Sequence, residues 1–150
     1  MVHLALNHGA QGIIYFSYKS GDRPITEHEQ LFGAIRQVNR EIRLLKGPLL
    51  KRPEQGAVAV ELAKDERGGI VIGAPRLAPA DCALRRFGGR RFLSVVNPDP
   101  WRKEVVLGFP DSPRIAAELF VEEPAGMARV AERAMRLALR PFQVRLFILE

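Results

Sequence analysis

A chain of 150 residues suffices for one ordinary domain or two small lobes, and a content of 47% hydrophobic and 27% charged residues excludes a disordered tail. The net charge is +6 and the pI near 10.1, yet only Arg85, Arg86, Arg90 and Arg91 cluster, so the basic stripe with interleaved aromatics that marks a nucleic-acid binder is missing. Cys82 is the single cysteine, which excludes an intramolecular disulfide and a multi-cysteine metal site, and reads as a small buried apolar side chain.

No signal-peptide pattern follows Met1, and no apolar run approaches the length of a membrane span. Neither a membrane nor a nucleic acid is therefore an expected partner, and the chain as given reads as cytoplasmic.

In chain order, residues 2–8 carry apolar side chains at Val2, Leu4, Ala5 and Leu6 and read as the last turns of a helix with Gly9 as its C-cap. Residues 12–18, Gly-Ile-Ile-Tyr-Phe-Ser-Tyr, are short, apolar, and rich in β-branched and aromatic residues. Such a run predicts a strand buried on both faces, as in a parallel sheet covered by helices. Gly21, Asp22 and Pro24 supply a loop. Thr26 and Glu29 form a capping box, and Leu31, Ala34, Ile35, Val38, Ile42 and Leu45 follow at helical spacing until Gly47 and Pro48 end the helix.

Beyond Pro53, glycine and proline become frequent. Val58, Val60 and Leu62 predict a strand, as do residues 70–72. Residues 83–87 and 92–96 flank Gly88-Gly89, a hairpin signature. Further strands are expected at 103–109, 115–121 and 143–149, the last with Val144, Leu146 and Ile148 on one face. Residues 127–139 fit either period, but Pro141 favours a strand in the second half. Short strands with turns about every ten residues suggest a β-sandwich.

The order of these elements carries a resemblance. Residues 4–50, with Gly-Ala-Gln-Gly-Ile-Ile leading into the buried strand and Asn39-Arg40-Glu41 on the helix after it, resemble the last strand–helix unit of a TIM-barrel glycoside hydrolase. The stretch from Gly89 to Pro98 (Gly-Arg-Arg-Phe-Leu-Ser-Val-Val-Asn-Pro) and the closing Pro141-Phe142-Gln143-Val144 are similar to the C-terminal β-sandwich of such enzymes. The resemblance implies an α+β chain: the terminal strand–helix unit of a (β/α)8 barrel over residues 1–53, an incomplete domain, followed by an antiparallel β-sandwich over 54–150. It also implies carbohydrate as the ligand of the complete barrel, and the missing barrel segment, or a second copy, as partner.

Glycoside hydrolysis needs two carboxyl groups about 5–5.5 Å apart for retention or about 6.5–9.5 Å apart for inversion. In such barrels they lie on earlier strands, and no Asp or Glu lies within residues 12–18, so this chain is assigned no catalytic residue. Ser17, Tyr18 and Lys19 fall at the C-terminal end of the expected strand, where barrels build their sites, and Tyr18 could stack on a sugar ring. His3, His8 and His28 lack metal-ligand spacing and read as helix-end and surface residues, so neither a metal nor another cofactor is expected. Trp101 reads as the cover of a sandwich edge, and the four arginines as a solvated hairpin edge. The alternative function is a stand-alone carbohydrate- or protein-binding β-sandwich module.

Overall fold

A computed structural model describes residues 2–15, 19–20, 23–66, 78–121 and 128–150. Helix α1 (Val2–Asn7) ends in a Schellman motif: Ala10 N–H donates to Ala5 O (3.0 Å) and Gly9 N–H to Leu6 O (3.1 Å). Gly9, at φ +90°, provides the left-handed residue this ending requires. Strands β1 (Lys19–Ser20) and β2 (Arg23–Pro24) form a two-stranded antiparallel pair. Helix α2 (Glu29–Leu44) and the single turn α3 (Lys46–Leu49) follow.

Among the described residues, eight further strands are short and antiparallel in their pairing. β4 (Asp81–Phe87), β5 (Arg90–Val96), β7 (Ile115–Leu119) and β10 (Val144–Leu149) make one four-stranded sheet, in the order β4-β5-β10-β7. With β3 (Ala59–Asp65), the strands β6 (Lys103–Gly108), β8 (Arg129–Ala131) and β9 (Ala134–Leu139) make a second, in the order β3-β6-β9-β8. The chain is thus α+β, with two four-stranded antiparallel sheets in a sandwich arrangement.

The sheets share one core. Alternation sends Leu84, Leu93, Val95, Phe147 and Leu149 inward from the first sheet, and Val105, Leu107, Met135, Leu137 and Leu139 from the second. Each such side chain contributes on the order of 1.5–3 kcal/mol by leaving water. The opposite face of the first sheet, including Ala83, Arg85, Ser94 and Leu146, is also buried, under the helices.

Val144, Leu146 and Ile148 do share one face of β10, the one turned to the helices, while Phe147 and Leu149 supply the core. Gly88 and Gly89, at φ +59° and +76°, form the two-residue turn of the β4–β5 hairpin. Residues 129–131 and 134–139 form a second hairpin, so the ambiguous segment is strand in both described parts.

Four local expectations are corrected. Residues 11–15 are outside any strand, and Ile14 is 92% exposed. A strand buried on both faces needs two neighbouring strands and two covering layers, and the described residues around 12–15 provide neither; residues 16–18 lie outside the description. The loop expected next holds the β1–β2 pair instead.

The capping box does not form. Residues Ile25–Glu27 close a 3-10 turn, His28 N–H donates to Ile25 O (3.2 Å), and His28 takes the N-cap position without a side-chain cap. Gly47 and Pro48 do not stop helical structure but lie inside α3, where the missing Pro N–H falls in a first turn that needs no partner. Gly47 is there because α3 meets β4: a Cβ at this position would stand 2.5 Å from the Phe87 ring. The expected strand at residues 70–72 lies outside the described residues.

Candidate functional site

The helical segments are seated on the first sheet by polar contacts that join residues far apart in sequence. Arg85 points to the helix side of β4 and is 2% exposed. Its Nη2 donates to Leu6 O (2.5 Å) at the end of α1, and its Nε donates to Lys51 O (3.0 Å) just past α3. A cation at two helix C-termini meets their exposed carbonyls and the negative ends of their dipoles. The four arginines are therefore not one solvated edge, because strand alternation turns Arg85 inward. Arg86 pairs with Glu54, and Arg91 donates to both oxygens of Asp111 (2.7 Å). Asp81, at the start of β4, accepts from Asn7 Nδ2 (2.7 Å) and contacts His8 Nε2 (2.7 Å).

His3 is buried at 3% exposure, contrary to a surface reading, because α1 lies on the sheet with His3, Leu6 and Asn7 inward. Its Nε2 meets Glu41 Oε2 at 2.9 Å, and Gln37 Nε2 donates to Glu41 Oε1 at 2.9 Å. Burial alone would raise the Glu41 carboxyl; the hydrogen bonds from His3 and Gln37 and the charge of His3 outweigh it and hold the group below its ordinary value of 4.5. A depressed folded value means that the contribution of Glu41 to stability is fully present above its unfolded value and is lost as pH falls through the folded one. The difference in unfolding midpoint between the natural chain and Glu41→Gln, measured from neutral pH downward, should hold steady and then close on acidification below the ordinary carboxylate range.

The sequence-derived site residues are not brought together within the described residues. Ser17 and Tyr18 lie outside them, and Lys19 pairs through its backbone with Pro24 in the β1–β2 ladder. Tyr15, just upstream, donates its hydroxyl to Asn39 Oδ1 on α2 (3.0 Å). Large apolar side chains also stand exposed in this part of the chain. Ile14, Leu31 and Leu44 are 92%, 50% and 62% exposed, and no residue of α2 is fully buried although its sequence is amphipathic. Ile35, Val38 and Ile42 are half-buried. Comparison with protein-family models, with curated proteins and with solved structures finds no match.

Within the sandwich, one buried polar residue has a role its sequence context only hinted at. Asn97 is fully buried; its Nδ2 donates to Trp101 O (2.7 Å) and Arg140 O (2.8 Å), and its Oδ1 accepts from Asp99 N–H (3.1 Å). The Asn-Pro-Asp-Pro run is the signal, since Asn side chains organise such turns. Trp101, on that turn, is exposed.

Cys82 packs against the core, where burial, helped by the charge of Asp81, pushes its thiol up to about 12. Only the thiolate reacts with disulfide reagents, so Cys82 should stay unlabelled by dithionitrobenzoate at mildly alkaline pH until denaturant unfolds the chain. Rapid labelling of the folded protein would contradict this burial.

Proposed function

We propose that this chain is the C-terminal part of a glycoside-hydrolase-like protein, in which residues 1–53 supply the last strand–helix unit of a (β/α)8 barrel and residues 54–150 an accessory β-sandwich that packs on it. In this reading its role is structural, and the chain is without hydrolytic activity alone. Carbohydrate is the ligand of the completed barrel, with Tyr18, Ser17 and Lys19 at the end of its last strand.

The observation that carries the reading is the exposure of Ile14 and of Leu31, the latter on the apolar stripe of α2. A run with the composition of a doubly covered strand and an amphipathic helix without a buried residue are what a barrel stave and its helix become without their neighbours. The test is the reading frame preceding residue 1. In-frame sequence with alternating strands and helices and two carboxylates on the earlier strands is expected; a frame that opens at Met1, with a purified chain that is monomeric, would count against the proposal.

A second reading, a stand-alone carbohydrate- or protein-binding β-sandwich module, has its own support. α1 and α3 lie on the sandwich through Arg85 and Asp81, as helices belonging to such a module would. The two readings part on the apolar side of α2, which the first covers with the remaining barrel elements and the second leaves to a protein partner.

A further inference from the structure

Helix α2 carries three arginines on one side. At about 100° per residue, Arg36, Arg40 and Arg43 fall within an arc of about 60°, opposite Leu31, Ile35, Val38 and Ile42. All three are exposed. Elsewhere the chain pairs its arginines: Arg86, Arg91, Arg102, Arg136 and Arg145 each lie within ion-pair distance of a carboxylate. Among the described residues no carboxylate meets Arg36, Arg40 or Arg43, and Arg36 lies instead over the Phe32 ring, 6.0 Å from its centre. Like charges three and four residues apart oppose helix formation, and nothing among the described residues offsets this stripe.

An open groove of about 650 Å³ runs along these side chains, with Gln37, Asn39 and Leu44 beside them and Gly33 toward the helix N-terminus. Leu44 is 62% exposed and lies off the apolar stripe of α2, one turn beyond Arg40. A Cβ at Gly33 would meet nothing within 4 Å, so no contact among the described residues calls for glycine, a residue that weakens a helix interior. The bare backbone there is open to close approach from outside.

We infer that this side of α2 binds an acidic polypeptide segment, which brings carboxylates to Arg36, Arg40 and Arg43 and an apolar side chain to Leu44. A guanidinium fork donates two hydrogen bonds to one carboxylate, and a chain of net charge +6 attracts such a partner. No residue lining the groove is aromatic, so a single-stranded nucleic acid would find contacts for its phosphates and no ring for its bases. The inference goes beyond the docking role and uses the opposite side of α2, so either can fail while the other holds.

The test is the fluorescence anisotropy of a labelled peptide of Glu-Leu-Glu-Glu repeats titrated with the full chain. The same peptide with glutamine in place of glutamate, oligothymidylate and phosphatidylserine vesicles serve as competitors. The acidic peptide should bind, more weakly as salt is added, and all three competitors should displace it poorly. Arg40→Glu combined with Arg43→Glu should weaken binding about tenfold. Gly33→Gln should weaken it too, while leaving the chain at least as stable in urea unfolding. Ile14→Glu combined with Leu31→Glu, which alters only the apolar docking side, should leave it unchanged. Circular dichroism establishes that the variants are folded; if the charge-reversed chain does not fold, Gly33→Gln decides alone. Absence of binding, ready displacement by any of the three competitors, affinity unchanged in either folded groove variant, or loss of binding in the Ile14→Glu and Leu31→Glu chain would overturn the inference.

Discussion

Replacing Arg85 with methionine should destabilise the folded chain by about 3–5 kcal/mol, the sum of two charge-assisted hydrogen bonds lost and two carbonyls left without their donor. Against the roughly 5–15 kcal/mol that holds an ordinary domain together, this is a large fraction. The reason is geometric. One guanidinium reaches Leu6 O and Lys51 O at once, so one side chain on β4 ties down both α1 and the end of α3. Lysine should rescue only part of the loss, because a point-like ammonium cannot span the two acceptors as the planar fork does. Urea unfolding of the three proteins measures the effect. An Arg85→Met chain as stable as the natural one would mean that the helices are held by apolar contact alone.

The second large effect lies inside the sandwich. Arg145 projects from β10 on the core side with its side chain 1% exposed; its Nε and Nη2 pair with Glu118 of β7, its Nη1 reaches Ala138 O of the other sheet (3.3 Å), and its guanidinium lies 5.2 Å from the Phe147 ring centre. Glu118→Ala should cost about 3–5 kcal/mol, because it removes the carboxylate that receives two hydrogen bonds from a buried cation. The double variant Glu118→Leu with Arg145→Met should recover most of that loss, since apolar residues of similar volume replace a buried pair at little cost. A double-mutant cycle by chemical denaturation reads this directly: strong non-additivity is expected, and additive losses would contradict the pairing.

What was legible in the sequence was local. Gly88-Gly89 between alternating strands specifies its hairpin, because only the turn chemistry of those two residues is needed. Val105 and Leu107 reveal the inward face of β6 by period two. Gly9 announces the end of α1 through its left-handed conformation.

What was missed depends on distant partners. His3 and Glu41 are 38 positions apart, and nothing local to either tells that they meet. Arg85 looked like one of four hairpin arginines, and only the placement of helices over the first sheet distinguishes it. Thr26 and Glu29 have the spacing of a capping box, but the 3-10 turn at Ile25–Glu27 sets His28 at the head of α2. Residues 12–15 have the composition of a buried strand, yet burial requires neighbours that composition cannot supply. Of the expected sugar-contact residues, only the backbone of Lys19 is placed.

The measurement that tests the docking role most directly is multi-angle light scattering of the purified chain over a range of concentrations. The account predicts self-association that grows with concentration, carried by residues 12–15 and the apolar side of α2, and abolished by Ile14→Glu combined with Leu31→Glu without loss of secondary structure. A chain that remains monomeric at every concentration and unfolds cooperatively, with the double variant behaving identically, would contradict it.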